Sequence, residues 1–180
     1  MKAVGFYAPR PVDEPGPLVD LELPLPALRP NDLLVRLAAI SVNRIDTTLR
    51  SSMRPPTGTA QVVGYNAAGM VEAVGPAVTH FKAGDEVFYA GAIDRQGSYA
   101  EFQAVDERVV EPKPRTLSFA DAAALPLTSL TGWELLFDRL RVSEGRSTTG
   151  DALLIINGAG GVGSIWCNEC IVQPWRDGLC

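Results

Sequence analysis

Four aliphatic residues, Leu153-Leu154-Ile155-Ile156, run straight into the cluster Asn157-Gly158-Ala159-Gly160-Gly161-Val162-Gly163-Ser164. The aliphatic run predicts a buried strand. Gly158, Gly160 and Gly163 have the G-x-G-x-x-G spacing of the turn that follows the first strand of a dinucleotide-binding βαβ unit. In such a turn the first glycine permits the tight bend and the second lets the backbone approach a pyrophosphate. The third lets the next helix pack against the strand. Gly161, Val162 and Gly163 would open that helix, where free N–H groups and the positive end of the helix dipole favour a phosphate. This pattern demands a parallel sheet built from many further strands, yet 16 residues follow Ser164.

The residues upstream read differently. Strands are expected at 2–7, 19–23, 33–42, 61–64, 67–74, 86–89 and 99–105. Val19, Leu21 and Leu23 alternate with Asp20 and Glu22, which is the period of a strand with one wet face. Proline breaks (Pro9, Pro11, Pro15, Pro17, Pro24, Pro26, Pro30) and turns at Gly75-Pro76 and Lys82-Ala83-Gly84-Asp85 separate them. Short strands at regular spacing predict a partly closed β-barrel over residues 1–117. Ser118-Phe119-Ala120-Asp121 then has the form of a helix N-cap with an acid three residues on. A helix begins at Ala122, Pro126 interrupts it, and 127–140 places Leu127, Leu130, Trp133, Leu136, Phe137 and Leu140 at helical spacing. Residues 118–150 thus form a helical connector.

Composition excludes several classes. The net charge is −5 with no basic tract, which argues against nucleic acid as a partner. No apolar run reaches the ~18 residues of a membrane span, and the first residues lack the apolar core of a signal peptide. The expectation is a cytoplasmic protein with no membrane partner. Cys167 and Cys170 have C-x-x-C spacing, but the third cysteine is Cys180 and the single histidine is His80, so no zinc set is apparent.

Several local motifs carry a resemblance: Ser41-Val42-Asn43-Arg44-Ile45-Asp46, Gly64-Tyr65-Asn66-Ala67-Ala68-Gly69, Phe81-Lys82-Ala83-Gly84-Asp85-Glu86-Val87, Gly97-Ser98-Tyr99-Ala100-Glu101, Ala123-Ala124-Leu125-Pro126-Leu127-Thr128 and Leu130-Thr131-Gly132-Trp133. With the glycine turn they cover residues 1 to about 165 in order. The chain resembles the medium-chain dehydrogenase/reductase superfamily, in its quinone oxidoreductase and zinc-type alcohol dehydrogenase-like branch. The resemblance implies an α+β chain: a GroES-like, partly open catalytic barrel, then at 151–165 the first strand and glycine turn of a truncated Rossmann domain. The implied cofactor is NADPH, and the implied substrate is a small quinone, enone or carbonyl compound. Family members are often dimers.

The resemblance also bears on zinc. The positions that match the catalytic zinc ligands of the alcohol dehydrogenases are Asn43, Tyr65 and Leu127, none of which suits zinc. It implies zinc-independent hydride transfer, with Asn43 and Thr131 near the nicotinamide and Tyr65 as a hydrogen-bond donor to the substrate oxygen. Each has a structural alternative: Asn43 satisfying local backbone, Thr131 back-bonding its helix, Tyr65 filling the barrel core. Asp46 reads as a structural hydrogen-bond partner.

From Trp166 the text departs from the family, and all three cysteines and two of three tryptophans fall in 166–180. Pro174 would break the expected helix. This tail reads as the product of a frameshift or misplaced stop near residue 165. The residue that selects NAD or NADP would lie about 20 residues past the glycines. Leu153–Ile156 and the apolar face of 127–140 would then be exposed, and NADPH binding and turnover would be poor. The competing readings are a non-catalytic GroES-like remnant or binding module, and a zinc alcohol dehydrogenase.

Overall fold

The structure is a computed structural model that describes residues 1–11, 14, 18–142 and 154–172, with side chains to 167 in the last helix. The chain divides into two compact units, Met1–Pro126 and Leu127–Cys180. The first unit is built on two antiparallel sheets. Strand β1 (Lys2–Phe6) lies between β2 (Val19–Glu22) and β4 (Gln61–Val62). The larger sheet has the order β7-β3-β5-β6-β8, formed by β3 (Asp32–Ser41), β5 (Asn66–Val74), β6 (Glu86–Ala90), β7 (Phe102–Asp106) and β8 (Val110–Pro112).

Alternation along the strands decides which residues form the core. Leu33 and Val35 of β3, Ala67 and Val71 of β5, Val87 and Tyr89 of β6, Val105 and Val110 pack into one buried cluster. On the opposite face Ala68 and Phe88 meet Ala122 and Ala123 of α2 (Phe119–Ala123), where small side chains allow close approach of helix and sheet. The smaller sheet has its own cluster of Ala3, Leu21, Ala60 and Val62.

The expected strands at 2–7, 19–23, 33–42, 61–64, 67–74 and 86–89 are present with ends shifted by a few residues, as is usual for boundaries. The strand expected at 99–105 is divided because its two halves pair with different neighbours. Val4 N–H donates to the Tyr99 carbonyl at 2.7 Å, whereas Leu37 N–H donates to the Glu101 carbonyl at 2.9 Å and Phe102–Asp106 pairs with β3. Strand β8 and helix α1 (Arg44–Ser52) are additional to the expectation. The helix, RIDTTLRSS, has no apolar stripe to announce it.

Ser118 caps α2 as its sequence predicts: Asp121 N–H donates to Ser118 Oγ at 3.2 Å, and the Ser118 hydroxyl reaches Asp121 Oδ2 at 2.6 Å. Ser118→Ala is expected to lower barrel stability by about 1 kcal/mol, read as a lower urea midpoint at unchanged slope. Among the described residues no helix is long and apolar enough to cross a membrane.

The second unit contains α3 (Pro126–Trp133, which starts on the last residue of the first unit), a π-wound continuation (Glu134–Arg139) and α4 (Gly161–Val172). The continuous helix expected over 127–140 is therefore widened in its second half, where Leu140 N–H donates to the Leu135 carbonyl at 2.9 Å, five residues back. The rings of Trp133 and Phe137 meet at a tilt of 51° with centroids 4.4 Å apart, and Leu130, Trp133 and Leu140 are each more than half exposed. Within this unit Trp166 Nε1 of α4 donates to the Gly132 carbonyl at 2.9 Å.

Candidate functional site

Strand β3 ends at Ser41, and Asn43 opens α1 from an extended conformation (φ −127°). Its backbone N–H donates to Asp46 Oδ2 at 2.7 Å, and Asp46 N–H donates to the Asn43 carbonyl at 3.0 Å. An acid three residues after the cap satisfies a donor that the helix itself leaves orphaned. The Asn43 side-chain Nδ2 donates to the Ser41 carbonyl at 3.0 Å, so its amide plane is held from one end.

Tyr65 is 3% exposed. Gly91 N–H donates to its carbonyl at 2.6 Å, and among the described residues its hydroxyl has no hydrogen-bond partner. Burial pushes its phenol above the ordinary tyrosine range, and the charge of Asp46 pushes it further. Tyr65 therefore stays protonated and is a donor without an acceptor. Asp46 is also 3% exposed. Its Oδ2 accepts the Tyr99 hydroxyl at 3.0 Å as well as the Asn43 N–H, while its Oδ1 is buried with no hydrogen-bond partner among the described residues. Burial and the same carboxylate hold the Tyr99 phenol well above its usual range. The barrel thus gathers Asn43, Asp46, Tyr65 and Tyr99 around one buried carboxylate. Sequence reasoning omits Tyr99, although Gly97-Ser98-Tyr99-Ala100-Glu101 is among the motifs that carry the resemblance.

Thr131 and the glycine turn belong to the second unit. Thr131 is exposed on α3, and its hydroxyl donates to the Leu127 carbonyl at 2.7 Å, the back-bond expected of a threonine inside a helix. Gly158 and Gly160 lie in a turn closed by Gly160 N–H to the Asn157 carbonyl at 2.9 Å, and Gly161, Val162 and Gly163 form the first turn of α4.

Two expectations for this segment change. The left-handed residue of the turn is Asn157 (φ +62°), and no residue of the three-glycine pattern has positive φ. Asparagine tolerates that region better than most residues. Gly163 is required for closeness, as expected of the third glycine: a Cβ there would meet Gly158 Cα at 2.8 Å, whereas one on Gly160 would meet the movable Asn157 Nδ2 at 2.7 Å. The expected strand is the second change. Leu154 and Ile155 have no regular structure, Ile156 is in the turn, and Leu154 and Ile156 are 84% exposed. A strand needs a paired neighbour, and among the described residues none pairs here. Leu153 and Pro174 lie outside the described residues.

The turn suits the pyrophosphate of a dinucleotide: Gly158 and Gly160 carry no side chain between it and a ligand, and the first N–H groups of α4 have no carbonyl within the helix. At the positions that the resemblance matches to zinc ligands, the side chains do not suit zinc. An amide, a phenol and an alkyl side chain stand at Asn43, Tyr65 and Leu127. Among the described residues no three His, Cys, Asp or Glu side chains gather as a metal set.

Residues 29–115 match the alcohol dehydrogenase GroES-like domain. A zinc-type alcohol dehydrogenase-like protein of Staphylococcus aureus is 44% identical over 166 residues, which are 92% of this chain and 49% of that protein. The crystal structure of a Rhizobium etli protein described as a zinc-dependent alcohol dehydrogenase is 53% identical with a TM-score of 0.87, over 94% of this chain and 49% of that one. Escherichia coli quinone oxidoreductase, solved in complex with NADPH, is 30% identical with a TM-score of 0.76, over 96% of this chain and 50% of that one. The chain spans about half the length of the relatives it matches. With its two-sheet barrel and these relatives, the chain belongs to the medium-chain dehydrogenase/reductase superfamily, in the branch of the zinc-type alcohol dehydrogenase-like proteins and quinone oxidoreductases.

Proposed function

We propose that these residues serve NAD(P)H-dependent reduction of a small quinone, enone or carbonyl compound by hydride transfer without zinc, and that the 180-residue chain by itself binds NADPH weakly and turns over little. The observation that carries the reading is Tyr65: a buried phenol, held protonated and without an acceptor, at a position matched to a zinc ligand. Bound NADPH supplies the hydride. Hydride arriving at carbon leaves negative charge on the acceptor oxygen, and a donor already in place stabilises that charge in the transition state. Tyr65 is that donor. Asn43, with Nδ2 committed to Ser41 and its oxygen facing Asp46 N–H in the capping box, keeps a second lone pair to accept an amide N–H, and Thr131, with its proton committed to Leu127, can accept one too. The resemblance matches both to positions near the nicotinamide. A metal would act as a Lewis acid on the acceptor oxygen, and in this reading the Tyr65 hydroxyl takes that part. Weak binding by the chain alone follows from Leu154 and Ile156, which are 84% exposed where a sheet would hold the glycine turn in place.

The test joins residues 1–165 to the remaining half of the Rhizobium etli relative. The expected chimera oxidises NADPH in the presence of a quinone or enone, keeps that activity after exhaustive chelation, and loses about 10²-fold in kcat as Tyr65→Phe. NADPH fluorescence titration of the 180-residue chain is expected to show no tight site. A chimera that requires zinc overturns the zinc-free reading, and micromolar NADPH binding by the chain alone overturns the weak-binding one.

A further inference from the structure

We infer that Tyr99 is a positioning residue: through Asp46 it ties the cap of α1, which carries Asn43, to the glycine bend that carries Tyr65. The inference rests on the reading of Asn43 and Tyr65 as site residues.

Three sets of contacts place Tyr99 between them. Its backbone joins two elements, donating from N–H to the Val63 carbonyl at 2.9 Å and accepting Val4 N–H at 2.7 Å. Its ring lies on Gly64, the residue before Tyr65: a Cβ there would sit 2.7 Å from Tyr99 Cε1 and nearer still to Cδ1. Ser98 N–H adds a bond to the Gly64 carbonyl at 2.8 Å, so the bend is clamped from one side. Finally, its hydroxyl donates to Asp46 Oδ2 at 3.0 Å, the oxygen that also takes Asn43 N–H at 2.7 Å.

The pattern of satisfied and unsatisfied atoms gives this link its purpose. Two donors converge on Asp46 Oδ2 and fix the rotation of the carboxylate. Within this cluster, the buried side-chain atoms with no hydrogen-bond partner among the described residues are Asp46 Oδ1 and the Tyr65 hydroxyl. Buried polar atoms are nearly always paired, with protein, water or a ligand, so both atoms remain open to a partner from outside the chain. Without the Tyr99 hydroxyl, the carboxylate is free to turn and to accept the Tyr65 proton. The phenol would then be spent on Asp46, and Asn43 would lose a fixed partner. Tyr99 therefore keeps Tyr65 available while touching no substrate itself.

The experiment uses the 180-residue chain with 15N in the backbone and 13C at tyrosine Cζ, and compares Tyr99→Phe with Tyr89→Phe. Tyr89 is the control because its hydroxyl, bonded to Gln103 Oε1 at 2.9 Å, is buried in the same barrel but outside the link. The expected result is that Tyr99→Phe shifts both the Asn43 amide and the Tyr65 Cζ resonances well beyond their line widths. The Val4 amide, which donates to the carbonyl of residue 99, should hold, and Tyr89→Phe should move neither site resonance. Where Tyr99→Phe is only partly folded, the same spectra are recorded in sucrose, which favours the compact state. Unmoved Asn43 and Tyr65 signals in folded Tyr99→Phe, or equal movement in Tyr89→Phe, overturn the inference. These readouts need neither cofactor nor turnover, so their failure and the failure of the reductase reading are separately visible.

Discussion

Gly64→Ala is expected to destabilise the barrel by roughly 3–5 kcal/mol, combining the left-handed penalty with overpacking, and to leave Tyr65 displaced in whatever still folds. Gly64 has φ +98°, where any Cβ is strained, and its missing side chain is replaced by the ring of Tyr99 and the Ser98 hydroxyl. Neither neighbour can withdraw easily. Ser98 Oγ donates to the Asn66 carbonyl at 3.2 Å, and Tyr99 is tied at its backbone and at its hydroxyl. Gly58→Ala is the matched control: its φ is +78°, but nothing lies within 4 Å of the added carbon. That variant should lose only about 1–2 kcal/mol, the conformational part alone. Urea unfolding followed by far-UV circular dichroism separates the two. Equal losses would mean that the packing of Tyr99 on Gly64 contributes nothing.

Arg95→Met is the second large effect, with an expected cost of about 3–5 kcal/mol from leaving one charge of a buried pair alone. Arg95 Nη1 meets Asp32 Oδ1 at 2.8 Å, with side-chain exposures of 15% and 2%. Asp32 opens β3, and its other oxygen accepts Arg29 N–H at 3.0 Å, so the carboxylate anchors the turn that enters the longest strand of the sheet. Once Arg95 is removed, that carboxylate stays buried with a backbone donor as its partner. The double variant Asp32→Leu/Arg95→Met should be more stable than Arg95→Met, because two apolar side chains in place of a buried pair are often neutral or better. The exposed pair Arg36–Glu72, 3.2 Å apart with both side chains about half exposed, is the contrast. Arg36→Ala should change stability by less than about 1 kcal/mol. A double variant no more stable than the single one would place the cost in lost packing of the arginine stem instead of in the stranded charge.

Much of the barrel is legible in the sequence because its strands carry their own signal. Val19 to Leu23 alternate, and Leu33 to Val42 form a long apolar run, so the two-residue period and the intervening prolines are enough to find them. Helix α1 is legible only through its cap: RIDTTLRSS has no apolar stripe, and its one buried residue is Asp46, which serves the cap and the polar cluster rather than the core. The split at residues 99–105 is invisible for another reason, since a strand that changes partners midway keeps the same local pattern. In the site, Asn43 and Tyr65 stand out through the resemblance. Tyr99 does not, because its importance lies in where one hydroxyl reaches across 53 positions of sequence. The run Leu154 to Ile156 shows the opposite case: its residues have every local preference for a strand, yet strand formation depends on neighbours that the described residues do not supply.

The indole of Trp166, bonded to the Gly132 carbonyl at 2.9 Å, has a practical consequence for anyone watching this chain unfold. All three tryptophans, Trp133, Trp166 and Trp175, lie after residue 126, and all four tyrosines, Tyr7, Tyr65, Tyr89 and Tyr99, lie before it. Emission excited at the red edge of the indole band is therefore blind to the barrel and sees only the second unit. The tyrosine bands in near-ultraviolet dichroism report the barrel, beneath whatever the indoles add. The two units are colour-coded by their own sequence. A melt that loses indole emission first while tyrosine ellipticity persists can be assigned to its unit without a label, a tag or an engineered reporter.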